Sequence, residues 1–264
     1  MDYQDIIYTK EDGIASIIMN RPERRNSFSP GMLKSIYHAI EDAAKDDKVR
    51  VLVLTGTGQA FCAGGDVKAM AEKFDQPEGE EESGEPGVSD AQLYLIVHQI
   101  EKPVIAAING VAVGGGLDLA LACDIRIASD RARLASVYIR RGLIPLGGGT
   151  YFLPRLVGVD RACQLIWTGD IIDAKEAERI GLVTMVVPHE DLESATRELA
   201  EKIMKGSPLA IKAAKRVIYG GLGMDLEATL AYIAPILKEL RATEDHKEGA
   251  RAFAEKREPV FKGR

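Results

Sequence analysis

Apolar and polar positions alternate at two periods along this chain, and the switch between them outlines its elements. Ile6 to Tyr8 and Ile14 to Met19 are short β-prone runs flanking "KEDG", which predicts a hairpin with Gly13 in its turn. In "SPGMLKSIYHAIEDAAKDD", Met32, Leu33, Ile36 and Ile40 follow Ser29 and Pro30, the pattern of an amphipathic helix with a serine cap and a first-turn proline. Val51 to Leu54 is an unbroken apolar run that predicts a buried strand, followed by a glycine-rich turn and a short helix over Val67 to Lys73. "AQLYLIVHQIEK" is helical in period, "PVIAAING" reads as a strand, and "VAVGGGLDLALACD" is extended up to its triple glycine and helical beyond it. "IRIASDRARLAS" alternates like a strand pair. "GGGTYFLPRLVG", "VDRACQLIWTG" and "DAKEAERIG" are three short helical or turn-helix units, and "LVTMVVP" is a further buried strand. From Asp191 onward the pattern is helical, interrupted by "KGSP" and "YGGLG".

Repetition of strand, strand and helix followed by a helical tail predicts an α/β fold, with a core over residues 1–195 and a helical region over 196–264. The acidic, Gly/Pro/Ser-rich stretch "DQPEGEEESGEPGVSD" offers little to bury and reads as a surface loop. The 264 residues suffice for a sizeable core, and their net charge of -6, without a Lys/Arg cluster, argues against a nucleic-acid surface. Cys62, Cys123 and Cys163 are widely spaced, which fits a reducing, cytoplasmic compartment better than a disulfide framework. No apolar run reaches membrane-spanning length, and the N-terminal residues carry acids rather than the apolar core of a signal peptide.

The glycines pose the chemical question. Gly56 and Gly58 supply the first two positions of a dinucleotide fingerprint, but Phe61 holds the third, where a side chain crowds the strand–helix approach. No P-loop, G-x-S-x-G or H-E-x-x-H pattern occurs, and none of the four histidines lies in a glycine-rich segment. What remains is two corners, "FCAGGD" and "VAVGGGLD", each joining an apolar strand to a helix. A helix start presents unpaired N–H groups and the positive end of its dipole, and glycine lets a ligand approach them. Facing one point, two such corners make an oxyanion hole; otherwise they are ordinary tight turns.

At these residues the sequence resembles the crotonase superfamily, the enoyl-CoA hydratase/isomerase family. "NRPERRNSFS", "FCAGGDVKAM", "KPVIAAINGVAVGGGLDLALACDIRIAS", "GLIPLGGGTYFLPRLVG" and "FAEKREPVFKGR" match its motifs in order along most of the chain. The resemblance implies a spiral of ββα units with a helical C-terminal region that builds a homotrimer or a dimer of trimers. It implies oxyanion-hole donors at the N–H groups of Gly65 and Gly115. Coenzyme A, entering as part of an acyl-CoA thioester substrate and not as a separate cofactor, would pass Arg25, Ser27, Ala63, Asp66 and Val67. Lys68 would reach a phosphate or stay a solvated helix lysine, and Phe261 and Lys262 would complete a neighbouring subunit's site. The acidic loop would act as a lid. No metal is implied.

Well-known hydratases of this family use two glutamates; here the matching positions carry Asp118 and Tyr138, and the third carboxylate of dienoyl isomerases falls on Leu146. Asp118 is the one family-position acid, with an arginine partner as its alternative role. Tyr138 can hold or donate a proton or serve only as a pocket wall. The expected function is an acyl-CoA lyase or isomerase, an enoyl-CoA or dienoyl-CoA hydratase first, with Asp118 as principal acid/base. A double-bond shift through Asp118 alone, decarboxylation and thioester hydrolysis stay open, as does a catalytically silent acyl-CoA-binding subunit.

Overall fold

The computed structural model describes residues 2–66 and 90–264. The turn helix expected over Val67 to Lys73 and the proposed acidic lid lie outside the described residues. Strands β1 (Ile6–Glu11) and β2 (Ile14–Met19) form the expected hairpin. Asp12 and Gly13 between them both have positive φ, 50° and 83°, as a two-residue turn matched to strand twist requires. The first strand runs on to Glu11 because Thr9, Lys10 and Glu11 pair with Ser16, Ala15 and Ile14.

β3 (Val51–Gly56), β5 (Val104–Ile108), β7 (Ile125–Ser129) and β10 (Met185–Val187) extend this hairpin by parallel pairing into a six-stranded sheet ordered β1-β2-β3-β5-β7-β10. A strand buried on both faces needs no polar side, and every residue of β5 is buried. β4 (Ala60–Cys62), β6 (Val111–Val113), β8 (Arg133–Ala135) and β9 (Ile172–Asp173) make a second sheet in that order. In β3/β4, β5/β6 and β7/β8 the chain lays one strand in each sheet on three successive passes, the repeating unit of the α/β spiral.

Two expectations change in detail. "IRIASDRARLAS" does contain two strands, but β7 and β8 do not pair with each other. A turn closed by the Ala132 N–H on the Ser129 carbonyl sends the chain from one sheet to the other. "LVTMVVP" yields β10, which is half-buried because it is the edge of its sheet.

Ten α-helices surround the sheets among the described residues. In α1 (Pro30–Lys45), the Ser29 hydroxyl caps the first turn by accepting from the Met32 N–H, and Met32, Ile36, Ala39, Ile40 and Ala43 are buried. α2 (Asp90–Gln99) and α3 (Gly115–Ala122) follow, the latter buried over its full length. The three short helical units are α4 (Gly149–Val157), α5 (Val159–Thr168) and α6 (Ala174–Arg179). α7 (Leu192–Met204) spans the expected division at residue 195 and packs Leu192 and Ala200 against Val51, Val53, Ile105 and Ile127. α8 (Pro208–Gly221), α9 (Leu226–Ala242) and α10 (Glu244–Glu255) form the tail. α8 continues through Gly220 and Gly221, so the expected break falls only after both glycines. Asp124 ties α8 to the core, accepting from the Val104 N–H, the Lys215 ammonium at 2.8 Å and the Tyr219 hydroxyl at 2.7 Å.

One buried side chain sets the loop that approaches the glycine corners. Asn26 is fully buried, with φ of 55°, in the left-handed region that asparagine tolerates. Its Oδ1 accepts from the Arg21 N–H, and its Nδ2 donates to the carbonyls of Thr57 and Ala60. Asn26→Ala strands these groups and places alanine at a positive φ. A loss of about 2–4 kcal/mol in urea-melt stability is expected.

Candidate active site

β4 and β6 are parallel neighbours, with Ala60 opposite Val111 and Cys62 opposite Ala112, so their C-terminal ends carry the two glycine corners side by side. The contact is close. A Cβ on Gly64 would lie 2.9 Å from the Gly115 nitrogen and 2.7 Å from the Val113 carbonyl oxygen. Gly64 also has φ of 79°, so both backbone conformation and space call for glycine there. Gly115 opens α3, and its N–H belongs to the first turn, where no carbonyl four residues back lies within the helix.

The loop fixed by Asn26 lies along the other side of "CAGGD". The Phe28 N–H donates to the Gly64 carbonyl, the Ala63 N–H donates to the Arg25 carbonyl, and Phe28 forms a β-bridge with Gly65. Between them is a cleft of about 710 Å³ lined by Glu23, Arg24, Arg25, Ser27, Ala63, Gly65 and Asp66. Four of the expected CoA-binding residues, Arg25, Ser27, Ala63 and Asp66, and the expected oxyanion donor Gly65 therefore share one cleft. Asp66 is held by the Arg21 guanidinium at 3.3 Å, which also donates to the Ser27 carbonyl. Val67 and Lys68 lie outside the described residues. Phe261 and Lys262 line a different cleft of about 940 Å³, with residues of α1, α2, α7 and α8. The Lys262 N–H there donates to Asp245 of its own chain.

Asp118 stands one turn into α3 and is fully buried. Among the described residues no arginine holds it. Its Oδ2 accepts from the Tyr138 hydroxyl at 2.8 Å and from the Gly147 N–H at 2.9 Å. Its Oδ1 has no hydrogen-bond partner among the described residues, although the nearby Gly149 N–H favours the charge. Burial pushes the carboxyl up to about 6, against the opposing pull of Tyr138, Gly147 and Gly149. Tyr138 is also buried, in the 3-10 turn Val137–Arg141. Asp118 thus keeps one oxygen for structure and one uncommitted, and it titrates close enough to neutrality to take and return a proton.

A family model described as "Enoyl-CoA hydratase/isomerase" matches residues 9–264. The chain belongs to the enoyl-CoA hydratase/isomerase family. It is 39% identical over 258 residues to the short-chain-enoyl-CoA hydratase of Clostridium acetobutylicum, covering 97% of both chains. It is 32% identical over 278 residues to the trans-2-decenoyl-[acyl-carrier-protein] isomerase of Streptococcus mutans, covering 100% of both. The crystal structure of enoyl-CoA hydratase from Bacillus anthracis superposes with a TM-score of 0.91 at 40% identity, over 99% of this chain and 100% of that one. The crotonase-like fold and membership expected from the motifs are therefore established, and with them an enzyme of the hydratase/isomerase type.

Three residues of this family member's site went unassigned in the sequence. Gly147 lies in "LGGGT", a visible triplet whose N–H could not be matched to Asp118 without the fold. Arg21 stands in "NRPERRN" but shows its Asp66 partner only when the loops meet. Tyr94, within an apolar helix, reads as core; its hydroxyl donates to the Gly115 carbonyl at 3.4 Å. Because the Tyr138 hydroxyl stabilises the charged carboxylate, Tyr138→Phe is expected to raise the Asp118 pKa. The acid limb of kcat/KM should move up by about one pH unit, read from a pH–rate profile.

Proposed function

We propose that the protein hydrates 2-enoyl-CoA thioesters, with the N–H groups of Gly65 and Gly115 holding the thioester oxygen and Asp118 as principal acid/base. The observation that carries this reading is the uncommitted Oδ1 of a buried carboxylate, one helical turn from Gly115. Polarising the carbonyl draws electrons towards its oxygen and leaves C3 open to attack. Asp118 takes a proton from water as the new C3–O bond forms, the resulting enolate is held at the glycine corners, and Asp118 returns a proton to C2. Atoms balance as the addition of one water: the proton that Asp118 takes from it is the one returned to C2, and the other stays on the new C3 hydroxyl. Tyr138 keeps the carboxylate oriented through Oδ2.

A second reading, a double-bond shift in an enoyl or dienoyl thioester, is favoured by the same single carboxylate, because one base can remove a proton and deliver it to another carbon. No step requires a further cofactor. Coenzyme A would run along Arg25, Ser27, Ala63, Asp66 and Val67, with the guanidinium of Arg25 and the ammonium of Lys68 suited to phosphate. Phe261 and Lys262 would complete a neighbouring subunit's site. Exposed apolar side chains such as Trp167, Leu226 and Phe253 support a homo-oligomer, a trimer or a dimer of trimers. Free cysteines at 62, 123 and 163 support a cytoplasmic setting.

Asp118→Asn tests the assignment. Turnover of an enoyl-CoA panel should fall about 10²–10⁴-fold while CoA binding persists. Since the buried carboxyl titrates above its unfolded value, the folded state binds more protons, and its contribution to stability declines as pH rises through about 6. Removing the charge should therefore leave the melting temperature at pH 7.5 equal or higher. Undiminished turnover would take Asp118 out of the mechanism, and a wild type inert across the panel would favour a silent acyl-CoA binder.

A further inference from the structure

Tyr94 occupies the space between the two halves of the proposed site. It projects from α2, is buried, and donates its hydroxyl to the Gly115 carbonyl. A Cβ on Gly115 would lie 2.8 Å from that hydroxyl and 3.0 Å from the Phe28 ring. At the same phenolic end, a Cβ on Gly147 would run into Cζ and Cε2 of the Tyr94 ring, and would lie 2.7 Å from the Cβ of Asp118. The phenolic end of one side chain therefore lies wedged between Gly115 and Gly147, whose N–H holds the carboxylate. Any acyl group with its carbonyl oxygen at Gly115 and its α-carbon near Asp118 Oδ1 must pass against it. Asp118 itself is fully buried and is not among the residues lining the cleft of Arg25 and Ser27.

We propose that Tyr94 is the specificity-determining wall of the acyl site, admitting short unbranched acyl groups and excluding long or bulky ones by filling the gap between Gly115 and Gly147. The proposal rests on the reading of Gly65, Gly115 and Asp118 given above. The wall has a second consequence. On this proposal it also helps to screen the Asp118 carboxylate, whose neighbours among the described residues include the Tyr138 hydroxyl and the Gly147 and Gly149 N–H groups. Burial is the largest cause of the raised pKa of this group.

The experiment compares wild type, Tyr94→Phe, Tyr94→Leu and Tyr94→Ala on crotonyl-CoA, hex-2-enoyl-CoA and dec-2-enoyl-CoA. Binding of butyryl-CoA and decanoyl-CoA is measured calorimetrically alongside. Wild type should prefer the four-carbon substrate. Tyr94→Ala and Tyr94→Leu should raise the ten-to-four-carbon ratio of kcat/KM, and of affinity, by about tenfold or more, and should move the acid limb of the pH profile downward. Tyr94→Phe, which keeps the ring, should leave the ratio within about twofold. Tyr94→Leu retains apolar bulk and carries the test if alanine prevents folding. An unchanged ratio in folded Leu or Ala variants, or a wild type that already prefers decenoyl-CoA, overturns the proposal. A wild type with no turnover would count against the hydratase reading alone, because the calorimetric ratio still decides whether Tyr94 is the wall.

Discussion

The pairing of β4 with β6 presses Gly64 against the backbone nitrogen of Gly115, leaving no room for a side chain between them. Parallel strands must be joined by crossovers, so two strands that end together at one sheet edge hand their chains to two different connections at the same place. Here those connections are the "AGGD" loop and the start of α3. The Asn26 loop then closes the third side, carrying Arg25 and Ser27 to the cleft. Displacing any of these backbones would separate groups that are useful only together, which is why a buried asparagine with three hydrogen bonds sits at the loop's base.

Against this backbone frame the carboxyl of Asp118 is held at a cost. A buried carboxylate without a cationic partner is destabilised as an anion, and two donors on Oδ2 offset only part of that. Structural carboxylates in this chain are arranged differently. Asp124 meets an ammonium and a phenol, and Asp42 is bound by Lys10 and Tyr8, which hold it below the usual carboxylate range. Asp118, in contrast to Asp42, is pushed upward, and it is the one that stands beside the glycine corners. The contrast separates a group built to stay charged from one built to exchange a proton.

Much of this was legible in the residues. Period-two and period-3.6 patterns located the hairpin, α1, the parallel strands and the helical tail, because those elements bury one face or two in a manner that composition must follow. The glycine corners and Asp118 could be read from motif and spacing. Partnership across the fold could not. "IRIASDRARLAS" looks the same whether its strands pair or separate, since alternation reports burial and not the neighbour. Tyr94 looks like any core aromatic, since a ring against a catalytic backbone and a ring against a leucine leave the same local pattern. Gly147 needed its N–H direction, which depends on a loop twenty-nine residues beyond its partner in sequence.

The central claim is that a thioester enolate forms at Gly65 and Gly115 and takes its C2 proton from Asp118. Mass spectrometry of crotonyl-CoA incubated with the enzyme in heavy water reads this directly. The account predicts a product that has gained one heavy water, with deuterium retained at C2 after transfer to ordinary water, and a slower back-exchange in the remaining substrate. Recovery of crotonyl-CoA with neither added water nor deuterium at carbon, from enzyme shown to bind it, would contradict the account.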